Sequence, residues 1–99
     1  MARYTPDYVL PNGIVVECKG LWDSDDRKKI ALVREQFPDL DLRIVFDRSK
    51  ATINKTSKTT YAMICDKLGI PYADKDVPTA WLNEPPNARS LEILKDLKK

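Results

Sequence analysis

The chain contains no histidine among its 99 residues. Serine–histidine–aspartate triads, cysteine–histidine proteases, histidine-containing zinc deaminases and zinc sites built on imidazole are therefore excluded. Oxygen ligands remain, and a pair of carboxylates suits Mg²⁺ or Mn²⁺, hard ions that retain waters and bind substrate phosphates. The absence of histidine, with carboxylates left as the metal ligands, thus indicates phosphoryl chemistry.

The sequence also lacks an apolar stretch long enough to span a bilayer and a secretion signal, so we expect a cytoplasmic protein. With 42% hydrophobic and 32% charged residues, its composition is that of a single globular domain. Two cysteines do not make a disulfide framework. Strand alternation directs Cys18 toward a buried sheet face and Cys65 lies on an apolar helix face, so both are predicted to be core thiols.

Periodicity predicts the order strand, strand, helix, strand, helix and a last helix. Apolar alternation marks strands at 8–10, 14–16 and 40–46, and helices are expected from Ser24 to about Phe37 and at 87–98. A further helix is expected to begin after a Thr59 or Thr60 cap and to end at Gly69. This order indicates an α/β fold with a mixed sheet, formed by a hairpin and a crossover strand and flanked by helices. We divide it into a core at 1–84 and a C-terminal helical arm at 85–99.

The turn between the first two strands decides which faces of the hairpin meet. A two-residue turn would leave Asp7 and Glu17 on opposite faces of the sheet. A three-residue loop at 11–13 is favoured because its first residue is proline and its third is glycine, which can adopt the left-handed conformation. In that register Asp7 lies opposite Glu17, and Lys19 shares the face of Glu17.

Two carboxylates placed side by side repel each other. The arrangement costs stability unless a cation lies between them, so a divalent metal explains it better than packing does. The alternative is a solvated hairpin face, because an aspartate and a Glu-x-Lys triplet recur by chance in a sequence this rich in charge.

Basic residues are concentrated at 43–60, where hydroxyl and amide side chains accompany them and Asp47 is the one acid. Such a segment is typical of proteins that contact DNA phosphates without recognising the base sequence. The alternative interpretation is a solvated, mobile loop. The basic triplet at 27–29 can likewise be interpreted as a DNA-phosphate contact or as solvated surface. Trp22 and Trp81 are expected to be core or interface aromatics. The predicted DNA contacts are Arg27, Lys28, Lys29, Arg43, Arg48, Lys50, Lys55 and Lys58.

Several segments of the sequence resemble the phage endonuclease I resolvases, which are PD-(D/E)xK nucleases that cut four-way DNA junctions. The likeness extends over most of the chain, to about Glu84. Its motifs are Thr5-Pro6-Asp7, Leu-Pro-Asn-Gly-Ile at 10–14, Glu17-Cys18-Lys19-Gly20-Leu21-Trp22, Asp25-Asp26-Arg27-Lys28-Lys29, Arg34-Glu35-Gln36, Arg43-Ile44-Val45-Phe46, Tyr61, Ala73-Asp74-Lys75, Pro78 and Trp81.

The resemblance implies a restriction-endonuclease-like core and metal-dependent hydrolysis of phosphodiesters in branched DNA, by a phage-encoded protein in the host cell. Asp7, Glu17 and the backbone carbonyl of Cys18 would hold Mg²⁺, for which Mn²⁺ substitutes. Lys19 would either activate the attacking water or stabilise negative charge on the phosphoryl oxygens. Asp7, Glu17 and Lys19 are the catalytic residues so implied.

The family also has an acidic metal ligand on a helix upstream of the first strand, and only six residues precede Asp7 here. We therefore expect a homodimer or a partner chain that supplies the segment, and weak cleavage by the chain alone. The alternatives are a homing or nicking endonuclease on linear duplex, a non-catalytic DNA-binding fragment, and half of a split enzyme.

Overall fold

The structure, a computed structural model, describes residues 6–97. Thr5 of the first motif and Lys98 at the predicted end of the last helix lie outside the described residues. Four strands and four helices follow one another along the described chain: β1 Tyr8–Val9, β2 Ile14–Lys19, α1 Ser24–Gln36, β3 Asp41–Phe46, α2 Tyr61–Leu68, β4 Tyr72–Asp74, α3 Thr79–Leu82 and α4 Ala88–Leu97.

The strands form one sheet in the order β1-β2-β3-β4, with β1 antiparallel to β2 and the other neighbours parallel. The predicted α/β fold with a mixed sheet and flanking helices is therefore confirmed. Neither β4 nor α3 was predicted, because three and four residues are too few to show a period. None of the helices in residues 6–97 has the length and apolar character needed to cross a membrane.

The hairpin has the predicted register. Tyr8 pairs with Val16 and Val9 with Val15, and the Leu10 amide donates to the Ile14 carbonyl at 2.8 Å. Gly13, the third residue of the loop, has φ +94°, which is the left-handed conformation that glycine adopts without strain. The three-residue loop is thus confirmed.

Asn12 and Gly13 of this turn are buried, and the C-terminal segment holds them in place. The Asn12 amide donates to the carbonyls of Trp81 at 2.8 Å and Glu84 at 3.2 Å. The Ser90 hydroxyl donates to the Gly13 carbonyl at 2.6 Å and accepts from the Asp41 amide at 3.0 Å. Residues of the predicted arm therefore bridge the hairpin turn and the start of β3.

Helix caps follow from local sequence, with one difference from the prediction. Asp23, not Ser24, caps α1, and its carboxylate accepts from the Asp26 amide at 2.8 Å. Thr60 caps α2, which ends at Gly69 in the left-handed conformation, as predicted. Aspartate and serine are equally good caps, so the pattern alone could not choose between residues 23 and 24.

The two faces of the sheet are covered unequally. Val15, Ile44 and Phe46 face the larger core, which also contains apolar residues of α1, α2 and α4. On the opposite face, Ile14, Val16, Val45 and Trp81 form a smaller cluster. Alternation places Cys18 on this second face, but the cluster does not extend over it.

The prediction of a core thiol at Cys18 is therefore wrong, because this residue is exposed. Cys65, by contrast, is buried in the larger core as predicted, and burial raises the pKa of its thiol to about 12. Trp22 and Trp81 are both buried, which confirms their assignment to the core.

Candidate active site

Asp7 and Glu17 come together at the open end of the hairpin. Continuing the β1–β2 register by one residue beyond Tyr8 places Asp7 opposite Glu17. Hydrogen bonds show that they are neighbours, because the Glu17 carboxylate accepts from the Asp7 amide at 3.1 Å and the Asp7 carboxylate accepts from the Cys18 amide at 2.9 Å. Glu17 is only 6% exposed whereas Asp7 is exposed, and main-chain donors hold both carboxylates in place.

Lys19 is the last residue of β2 and lies two positions beyond Glu17, on the same face. It is paired with Phe46 of β3, whose ring packs 5.4 Å from Trp22 and 5.5 Å from Tyr61, measured between centroids. Its ammonium group lies 3.8 Å from the Asp26 carboxylate in the first turn of α1. The strand pairing with Phe46 and the ion pair with Asp26 thus position the lysine.

The thiol of Cys18 lies among negative charges at this end of the sheet. Its pKa is raised, first by partial burial and then by the negative charges of Asp7, Glu17 and Asp47. Asp47 follows β3, where its amide donates to the Lys19 carbonyl at 3.2 Å. Three carboxylates therefore influence one exposed residue, and the local field favours cations.

The residues present fit a hard divalent ion. Within residues 6–97 no group of three or more histidine, cysteine, aspartate or glutamate side chains is placed to hold a metal. Mg²⁺ nevertheless needs only one or two carboxylates, because it keeps several waters and takes further oxygens from substrate phosphates. Asp7 and Glu17 are carboxylates held side by side by main-chain donors, and they match that requirement.

The basic segment after β3 is a loop of turns and bends that one isolated bridge closes. Thr52 and Thr60 form an antiparallel bridge, and the Ile53 amide donates to the Thr59 carbonyl at 2.9 Å. At its tip, Asn54 Oδ1 accepts from the amides of residues 56 and 57 and from the hydroxyl of residue 56. Four cations of this segment are exposed: Arg48, Lys50, Lys55 and Lys58.

The base of this segment is attached to β4. The Ser49 amide donates to the Asp74 carboxylate at 2.9 Å, and hydrogen bonding from Ser49 lowers the pKa of Asp74. Because β3 ends beside Lys19, the segment starts at the same end of the sheet as the two acids. The number and exposure of its cations are compatible with DNA phosphates as partners.

Arg43 does not belong to this group of exposed cations. It is 8% exposed, and its guanidinium donates to the carboxylates of Asp41 at 2.8 and 3.0 Å and of Glu84 at 2.8 Å, while it stacks 5.2 Å from the centroid of Trp81. These contacts raise its pKa, mainly through the hydrogen bond to Glu84. The structure therefore does not bring Arg43 to the basic surface, and we remove it from the predicted DNA contacts.

The triplet at 27–29 is divided between two roles. The Arg27 guanidinium donates to the Trp22 carbonyl at 2.6 Å and so fixes the junction of β2 and α1. Lys28 and Lys29 are exposed on α1. The sequence reasoning missed Asp26 as a neighbour of Lys19, although its place in the first turn of the helix that follows the Glu-x-Lys strand was a usable signal.

Comparisons with known proteins identify relatives of this chain. Residues 1–99 match the family model described as phage endonuclease I. Endonuclease I of Escherichia phage T7 is 54% identical over 92 residues, which cover 93% of this chain and 62% of that protein. Endodeoxyribonuclease 1 of Enterobacteria phage T3 is 57% identical over 82 residues, covering 83% of this chain and 54% of that protein. The chain thus spans less than two thirds of the length of these relatives.

Proposed function

Because this chain belongs to the phage endonuclease I family, we propose that it is a metal-dependent endonuclease core that hydrolyses phosphodiesters in branched DNA. The observation that supports this most strongly is the pairing of Asp7 and Glu17 on the face that also carries Lys19. Packing alone does not explain two carboxylates so placed.

In the proposed mechanism the two acids hold the metal and the lysine contacts the substrate. Asp7, Glu17 and the Cys18 carbonyl would hold Mg²⁺, with Mn²⁺ as a substitute. Bound there, the ion would activate water and neutralise charge on the phosphoryl oxygens. The Cys18 amide orients Asp7 and the Asp7 amide orients Glu17, so the carboxylates need little reorganisation when substrate binds.

Two roles were open for Lys19, and its surroundings favour one of them. Its ammonium group forms an ion pair with Asp26, at a distance of 3.8 Å from the carboxylate. We therefore assign Lys19 to stabilising the negative charge that develops on the phosphoryl oxygens, rather than to removing a proton from water.

The choice of branched DNA rests on the family resemblance, because the names of the two relatives state endonuclease or endodeoxyribonuclease activity without specifying branched DNA. The exposed cations of the segment after β3 suit the backbone of any DNA. A homodimer, or a partner chain that contributes a further acid, stays a prediction from the resemblance.

Cleavage of a four-way junction tests the proposal, with a linear duplex of the same sequence as the comparison and Mg²⁺, Mn²⁺ or EDTA present. We expect metal-dependent cuts in the junction and few in the duplex. Glu17→Gln should reduce the rate at least about a hundredfold, as loss of a transition-state-stabilising group does.

Glu35→Gln is the matched control, because it makes the same change at an exposed residue near the end of α1, outside the hairpin pair. Its rate should remain close to that of the unaltered chain. Equal cutting of junction and duplex would support a homing or nicking enzyme instead. Full activity of Glu17→Gln would exclude the site described here.

A further inference from the structure

We propose that the groove between α1 and α2 binds the sugar–phosphate backbone of a DNA arm, with Lys67 as a contact. This inference rests on the proposed function and extends its DNA surface to a helix that the sequence did not assign to binding. The groove has a volume of about 340 Å³, with Arg27, Lys28 and Lys67 along it and Ala31, Ile64 and Leu68 among its apolar lining.

Helical spacing explains why these residues face each other. On α1 the lining residues recur at 24, 27, 28 and 31, and on α2 at 64, 67 and 68, which are steps of three and four. Such steps place side chains on one face of a helix. Asp25 and Asp66 are offset from these positions, and no acidic residue lines the groove in the described part of the chain.

The cations of the groove have no acidic partner. Neither Lys28 nor Lys67 forms an ion pair within residues 6–97, and the Arg27 guanidinium donates to a main-chain carbonyl, which carries no net charge. Like charges along one groove repel each other unless an anion lies between them. Charge complementarity therefore identifies the occupant as polyanionic.

The groove begins at the turn of α1 that also contacts the candidate active site. Its upper end is formed by Ser24 and Arg27, in the first turn of the helix whose Asp26 contacts Lys19. A DNA strand held at Asp7 and Glu17 could continue along α1 with its phosphates between the lysines. The apolar lining residues would contact deoxyribose and would read no base.

The salt dependence of DNA binding tests this inference, with Lys67→Gln compared with Lys95→Gln. Both lysines are exposed helix residues, and Lys95 lies on α4 in a different groove, so the two variants lose the same charge. Each phosphate contact that is lost should make the negative slope of log K against log salt shallower by roughly 0.9. We expect that change for Lys67→Gln on two unrelated DNA sequences and no change for Lys95→Gln.

An unaltered slope for Lys67→Gln, while the parent chain binds DNA, would overturn this inference alone. A parent chain that neither binds nor cuts DNA would overturn the proposed function and this inference with it. Lys28→Gln combined with Lys67→Gln should make the slope shallower by roughly 1.8. A combined change no larger than that of Lys28→Gln alone would likewise exclude Lys67 as a contact.

Discussion

The ammonium group of Lys19 lies 3.8 Å from the Asp26 carboxylate, so the end of β2 is joined to the first turn of α1 by an ion pair. The Asp26 amide, in turn, donates to the Asp23 cap. The lysine is therefore oriented by a helix end that is itself fixed by hydrogen bonding. This arrangement makes Asp26 a positioning residue for the proposed reaction.

Replacing Asp26 with asparagine should slow junction cleavage by up to about fivefold, since an ion pair of this exposure contributes up to about 1 kcal/mol. Single-turnover rates in Mg²⁺ measure the effect. Asp25→Asn is the matched control, because it removes the same charge from the same helical turn and, within residues 6–97, forms no ion pair with Lys19. Equal slowing in both variants would show that general charge near α1, and not the ion pair, is responsible.

A second prediction concerns metal affinity. Glu17→Gln should weaken Mn²⁺ binding by at least about tenfold, because one of two charged ligands is lost. In the absence of metal, the same change should raise the free energy of unfolding by about 0.2–1 kcal/mol, since it removes a repulsion between neighbouring carboxylates. Calorimetric titration and chemical denaturation measure the two effects. Equal Mn²⁺ affinity of the variant and the parent chain would contradict the site.

The basic segment after β3 gives a third prediction. When Lys50, Lys55 and Lys58 are all replaced by glutamine, the negative slope of log K against log salt for DNA binding should become shallower by up to about 2.7. This corresponds to roughly 0.9 for each phosphate contact. The change should be the same on DNAs of unrelated sequence, because phosphate contacts carry no base information. Folding should be unaffected, since the turn is held by Asn54 and not by the lysines. An unchanged slope would make these residues solvated surface.

The sequence predicted well those features that depend on near neighbours. Proline and glycine at 11–13 were sufficient for the hairpin register, and threonine before an apolar stripe was sufficient for the cap of α2. The proximity of Asp7 and Glu17 followed from that register. All three rest on contacts within about ten residues.

The errors concern contacts between distant parts of the chain. Arg43 alternates with apolar residues in a strand, and its burial depends on Glu84, 41 positions away, which no local pattern indicates. Cys18 has the alternation of a core residue, but the cluster around Trp81 ends before reaching it. Burial of a strand residue is decided by what covers that part of the sheet, and this depends on tertiary structure.

The pair of Glu84 and Arg43 predicts a pH-dependent stability difference. The Arg43 guanidinium holds the pKa of Glu84 below its ordinary value of 4.5, so the pair stabilises the fold fully above that pH. This stability is lost as the pH falls through the lower folded-state pKa. The difference in unfolding free energy between the parent chain and Glu84→Gln should therefore be constant near neutrality and shrink below about pH 4.5. A difference independent of pH from 7 to 3 would contradict the pairing.

Arg43→Met separates a structural role from a DNA contact at the same residue. Removing the guanidinium leaves Asp41 and Glu84 as neighbouring carboxylates without their cation, which should lower the free energy of unfolding. The methionine side chain can still cover part of Trp81, so the loss should be mainly electrostatic. At a temperature where the variant remains folded, its salt slope of DNA binding should equal that of the parent chain, because a buried and paired guanidinium releases no counterions from DNA. A slope shallower by roughly 0.9 with unchanged stability would instead restore Arg43 to the DNA surface that the sequence predicted.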